Sequence, residues 1–131
     1  MEATQVLDHC AQAAGVARSL VRTFVGPWQI AESDIDAVLL AVSELVANAV
    51  EHALPPLVLH LHGNPTRQHI WVGVSDSGSA PQEGPWTSSC AADEHGRGLG
   101  IIEALSEARG THSYPDGTTM HWALLSIAFD R

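Results

Sequence analysis

With 131 residues, 45% of them hydrophobic, the chain carries apolar material for one ordinary globular core and too little for a second. Six basic against fifteen acidic residues give a formal charge of −9, the wrong sign for wrapping a nucleic acid or coating an anionic membrane, so neither is expected as a direct partner. Lysine is absent, which removes a Walker-A loop, because that loop needs an ammonium on the β- and γ-phosphates.

Cys10 and Cys90 lack metal or redox spacing, and the N-terminus has no secretory pattern, so a cytoplasmic protein with reduced thiols is expected. The longest apolar runs fall well short of the ~20 residues of a membrane helix.

In chain order, residues around Val6 and Leu7 are read as a short edge strand. Residues 11–25 place Ala14, Ala17, Leu20, Val21 and Phe24 at three- and four-residue steps, an amphipathic helix before the Gly26-Pro27 break. A second helix is predicted from Ser33, as its cap with Asp36 three residues on, to about Ala53 before Pro55-Pro56. Residues 58–62 and 69–75 read as a hairpin turning through Gly63-Asn64-Pro65-Thr66. Residues 77–96 have no sustained period and read as a long loop. A third helix is predicted from the glycine cluster, with Leu99, Ile102 and Leu105 on one face. A final hairpin follows, residues 111–114 turning through Pro115-Asp116-Gly117 into 118–128. This order implies an α+β fold with helices on one face of a mixed, mostly antiparallel sheet, as a single domain over 1–131.

Three strings carry the chemistry. On the second helix, Glu44 and Asn48 lie four residues apart on a side where Ala37, Leu40, Ala41 and Ala47 supply no charge, and His52 continues by another turn. Asp76 leaves the apolar strand Ile70, Val72, Val74 immediately before Ser77-Gly78, where an aspartate commonly caps a turn. Gly96-Arg97-Gly98-Leu99-Gly100 precedes a predicted helix, and glycines there let backbone amides approach phosphate. Arg97 is the only cation between Arg67 and Arg109. Thr118 and Thr119 open the last strand. His60 and His62 share a strand face, but no Cys, Asp or Glu stands at ligand spacing, so a structural metal is not expected. Ser43 lies within a helical pattern, without the strand-turn-helix elbow of a serine hydrolase.

In this order the strings resemble the N, G1 and G2 boxes of the GHKL (Bergerat-fold) ATPase and kinase superfamily, and Glu44 with His52 resembles its anti-sigma-factor serine kinase branch, a histidine-kinase-like ATPase domain. The resemblance spans roughly residues 4 to 127 and implies a two-layer α/β sandwich that binds ATP and Mg²⁺. It implies Glu44 as the base that takes the proton of an attacking hydroxyl, and Asn48 as a Mg²⁺ ligand through its amide oxygen. His52 is implied as pocket support, Asp76 as acceptor for the adenine amine, and Gly78 as the place where the backbone passes the base. Gly96, Arg97, Gly98, Leu99 and Gly100 are implied at the phosphates, Thr118 and Thr119 at the pocket, and residues of about 80–96 as a lid. Ala80 stands where the G1 box usually has its second glycine.

The function so implied is an anti-sigma-factor serine/threonine protein kinase that phosphorylates an anti-anti-sigma (STAS-type) protein and sequesters a sigma factor, with a homodimer also implied. The alternative is a non-catalytic, nucleotide-dependent regulatory binding module. A histidine-kinase catalytic domain fits less well, because His9 lacks the surroundings of a phosphoacceptor helix. Arg18 and Arg22, one turn apart and the only cations before Arg67, are the expected partner surface.

Overall fold

The computed structural model describes residues 1–79 and 105–129. Within them the chain runs β1 (Glu2–Leu7), α1 (Ala13–Val25), α2 (Glu32–His52), β2 (Leu57–Asn64), β3 (His69–Asp76), β4 (Ala108–Ser113) and β5 (Thr119–Ser126), with a 3₁₀ turn at Gly26–Trp28. The strands form one sheet in the order β1-β2-β3-β5-β4. Every pairing among the described residues is antiparallel, so no parallel member of the expected mixed sheet occurs there. The α+β sandwich is as expected.

Alternation builds the inner face of the sheet. Leu57, Leu59 and Leu61 of β2, Ile70, Val72 and Val74 of β3, and Ala123 and Leu125 of β5 are buried on it. Against this face, α2 lays Val38, Val42, Leu45, Val46 and Ala49, while α1 contributes Ala13, Ala17, Val21 and Val25 at four-residue steps. On the outer face, Trp71 and Trp122 stack with ring centroids 6.5 Å apart and an interplanar angle of 23°. The rings lie over glycine: a Cβ at Gly73 would collide with Trp71 and stand 2.9 Å from Met120 Sδ, and one at Gly110 would stand 2.8 Å from the Trp122 ring.

Several boundaries differ from the sequence reading. The second helix begins at Glu32, its N-cap is Ala31, and no side chain caps it, so Ser33 is inside the first turn and does not act as cap. Tertiary pairing fixes the helix entry instead. Ala31 donates its N–H to the Ala128 carbonyl at 2.9 Å, and the Ala128 N–H donates to Asp34 Oδ2 at 2.6 Å. Glu32 and Asp34 complement the positive end of the helix. Gly63 and Asn64 belong to β2, and the turn lies further on, where Asn64 Oδ1 accepts the Arg67 N–H at 3.2 Å and Gln68 takes a positive φ of 54°. The predicted third helix lies outside the described residues except for Leu105, which is helical and packs against the core.

Candidate functional site

The end of α2 is tied to the exit of β3 through backbone. Ser77 donates its N–H to the Leu54 carbonyl and Leu54 donates to the Gly78 carbonyl, each at 2.9 Å, while Ala53 and Ser79 form an isolated bridge. Next to this junction lies a cavity of about 510 Å³. Leu45, Asn48, Ala49, His52 and Ala53 line it from α2, and Asp76 and Ser79 from the exit of β3. Arg109, Gly110, Thr111 and Ser113 close it from β4, with Thr119, His121 and Trp122 from β5.

Asp76 is 2% exposed and, with Ser75, one of two buried polar or charged residues among the described residues. Its two oxygens do different things. Oδ1 accepts the Gly78 N–H at 2.7 Å, the turn-capping use that the sequence also allowed. Oδ2 is buried without a hydrogen-bond partner. His121 Nε2 stands 3.4 Å from it, within ion-pair range but without hydrogen-bond alignment. A buried acceptor left without a donor costs about 1–3 kcal/mol, which makes this oxygen the candidate acceptor of the site. Gly78 has a φ of +95°, and a Cβ there would meet the Gly117 carbonyl oxygen at 3.3 Å, so glycine serves the turn that holds the aspartate.

Asn48, His52, Asp76 and Thr119 therefore line one cavity. Glu44 sits one helical turn before Asn48, partly exposed, and is not among the lining residues. Thr118 is not either: its backbone N–H donates to Asp116 Oδ1 at 2.9 Å, closing the β4–β5 turn. Hydrogen bonds from the Thr118 backbone and then its side chain hold the Asp116 carboxyl below its ordinary range. Gly96, Arg97, Gly98, Leu99 and Gly100, Ala80 and the expected lid of about 80–96 lie outside the described residues.

Sequence reasoning missed Arg109, Thr111, Ser113 and His121. Strand alternation could have found His121, which lies two residues beyond Thr119 and so on the same face of β5. Nothing local marks the β4 residues, which reach the cavity through pairing with β5: Thr111 opposite His121 and Ser113 opposite Thr119.

His60 and His62 use protein partners: His60 Nε2 lies 3.1 Å from Ser75 Oγ, and His62 Nδ1 lies 3.0 Å from Glu2 Oε1. Burial lowers the pKa of His60 from its ordinary value. Among the described residues no cluster of three or more His, Cys, Asp or Glu could hold a metal, and no helix is long and apolar enough to cross a membrane.

The two-layer sandwich thus holds one cavity lined both by a buried aspartate at the exit of a central strand and by an asparagine of the second helix. Residues 7–122 match the family model described as the histidine kinase-like ATPase domain, and the chain belongs to that family. Among solved structures, the RsbU and RsbW domains of Rv1364c from Mycobacterium tuberculosis match with a TM-score of 0.71 at 21% identity, covering 100% of this chain and 35% of that one. This chain thus spans about a third of that polypeptide. The SiaB–SiaC complex from Pseudomonas aeruginosa matches with a TM-score of 0.59 at 14% identity, over 94% of this chain and 88% of that one. At these identities the likeness is one of fold. No curated protein sequence matches the chain.

Proposed function

We propose that the chain binds Mg·ATP in the cavity between α2, β3 and β5 and acts as a protein serine/threonine kinase of the anti-sigma-factor type. Its phosphoacceptor is an anti-anti-sigma (STAS-type) protein, and its second partner is a sigma factor. The observation that supports this most is the buried Asp76 Oδ2, without a hydrogen-bond partner, in a cavity shared with Asn48 and Thr119. An adenine amine supplies the donor this oxygen lacks, whereas guanine presents a carbonyl at the same position and sets two acceptors face to face. Membership of an ATPase family supports the same reading, and the RsbW domain and the two-protein complex among the structural neighbours favour protein partners.

The roles follow from the side chains. Asn48 offers an amide oxygen, the hard donor that Mg²⁺ prefers. When bound, Mg²⁺ supplies positive charge at the triphosphate of a chain that has no lysine. Glu44, one turn before Asn48, accepts the proton of the acceptor hydroxyl as the γ-phosphoryl group passes to its oxygen and ADP leaves. Gly96, Arg97, Gly98, Leu99 and Gly100 bind the phosphates, Thr118 and Thr119 lie at the pocket edge, and residues of about 80–96 act as the lid. The homodimer and the cytoplasmic location belong to this same proposal.

A second reading, a nucleotide-dependent binding module without phosphoryl transfer, is favoured by one observation: Glu44 is not among the residues lining the cavity. Incubation with γ-labelled ATP and a candidate anti-anti-sigma protein separates the two. Acid-stable label on the partner is expected. Nucleotide binding with no label on any serine or threonine of the partner would replace the kinase by the module.

A further inference from the structure

We propose that His121 is a specificity-determining residue of the nucleotide site, donating its Nε2–H to the N1 atom of adenine while Asp76 accepts from the neighbouring 6-amino group. The inference rests on the reading of this cavity as an adenine site.

The sheet register brings the two side chains together. Thr119 of β5 pairs with Asp76 of β3, His121 pairs with Val74, and Thr111 of β4 pairs with His121 from the other side. Asp76 and His121 thereby line the same wall of the cavity, with His121 Nε2 3.4 Å from Asp76 Oδ2. The other imidazole nitrogen, Nδ1, lies 3.1 Å from Thr111 Oγ1. These two contacts select a tautomer. A lone pair on Nε2 would stand against a carboxylate oxygen, whereas an Nε2–H is attracted to that oxygen while lying out of line for a hydrogen bond to it, so it stays available to a ligand and leaves Nδ1 to accept the hydroxyl proton of Thr111. We therefore assign the proton to Nε2.

The wall then presents an acceptor, Asp76 Oδ2, beside a donor, His121 Nε2–H. Adenine presents the complementary order on its Watson–Crick edge, with a donor at the 6-amino group and an acceptor at the adjacent N1. Guanine inverts both, with an acceptor at O6 and a donor at N1. One acceptor rejects guanine through a single mismatch, but the Asp76–His121 pair rejects it through two. A site that hydrogen-bonds its substrate discriminates strongly because the wrong ligand leaves the groups of the site unpaired. Among the described residues, the other ionisable side chains lining the cavity are His52 of α2 and Arg109 of β4. The protonated imidazole keeps its Nε2–H, so the contact does not depend on the charge of His121 and is read with ligand analogues.

The test compares Mg·ATP with the triphosphates of 1-deazaadenosine, which has C–H in place of N1, and of purine riboside, which lacks the 6-amino group, by calorimetry on the full chain. The wild type is expected to bind the 1-deaza analogue about three- to tenfold more weakly than ATP, the worth of one hydrogen bond, and the purine analogue, which leaves the Asp76 carboxylate without a donor, about five- to 150-fold more weakly. His121→Ala should bind ATP and the 1-deaza analogue equally while still preferring ATP to the purine analogue. His121→Phe, which retains a ring of similar breadth without a donor, should do the same and stands in if the alanine variant does not fold. A His121→Ala or His121→Phe protein that discriminates against 1-deaza-ATP as strongly as the wild type overturns the role of His121 alone. A wild type that makes no distinction between ATP and the purine analogue overturns the adenine site itself.

Discussion

Gly78 donates its backbone N–H to Asp76 Oδ1 at 2.7 Å, so the residue that turns the chain out of β3 also orients the carboxylate that lines the cavity. The second oxygen is left buried without a hydrogen-bond partner. Asp76→Asn separates the two uses. An asparagine keeps an oxygen for Gly78 but sets an NH₂ donor against the amine of adenine. The thermal midpoint should stay close to wild type while ATP affinity falls by about five- to 150-fold, the worth of 1–3 kcal/mol for a lost buried partner. Calorimetry that finds equal affinity in the folded variant would remove Asp76 from adenine recognition. Gly78→Ala should cost stability as well, by about 1–2 kcal/mol, because its φ of +95° is one that L-residues avoid.

Glu44 and Asn48 share a helix but stand differently to the cavity, and their variants should fail differently. Glu44→Gln should keep nucleotide affinity and lose phosphoryl transfer by about 10²- to 10⁴-fold, as expected for a missing general base. Asn48→Ala should weaken binding in Mg²⁺ and leave binding in EDTA unchanged. Transfer to a partner at wild-type rate by both variants would contradict these roles.

The two arginines of α1 are held toward α2: Arg18 Nη1 donates to Ser43 Oγ at 3.1 Å, and Arg22 lies 3.7 Å from Glu32 and 3.9 Å from Asp36. Ion pairs this exposed are worth about 0–1 kcal/mol, so they leave the guanidinium groups accessible to a stronger acidic partner. Charge reversal of both, Arg18→Glu with Arg22→Glu, should slow association with the sigma factor or the phosphoacceptor and flatten or reverse its fall with ionic strength, with ATP affinity unchanged. Surface plasmon resonance at two salt concentrations measures this, and unaltered association would exclude the α1 surface.

His60 predicts a pH dependence of stability. Its ring is partly buried between neighbouring strands, and loss of hydration lowers its pKa from the ordinary value of 6.5. Between 6.5 and the lowered value the unfolded chain binds the proton that the folded chain refuses, so stability falls as the pH drops through that window and is constant below it. His60→Gln should flatten this slope in urea unfolding measured from pH 8 to pH 5. An identical slope in the variant would assign the effect to other groups.

Much of this was open to reading along the chain, because the forces involved are local and periodic. The four-residue rhythm of Ala13, Ala17, Val21 and Val25 and the alternation of Leu57, Leu59 and Leu61 each select one geometry that buries an apolar face. The spacing of Glu44, Asn48 and His52 and the position of Asp76 before Ser77-Gly78 were likewise legible, since helix pitch and turn chemistry act over a few residues. Long-range pairing decided the rest. The α2 entry is set by the Ala128 backbone and not by the Ser33 hydroxyl, because a partner 94 residues away satisfies Asp34. In the same way, Thr111 and His121 reach the cavity wall only because β4 pairs with β5 and β5 lies beside β3. Sequence alone thus determined the spacing of Asn48, His52 and Asp76 and which faces must be buried; the cross-strand register decided that His121 stands beside Asp76, since register is fixed by the whole sheet closing over its core and not by any neighbouring residue.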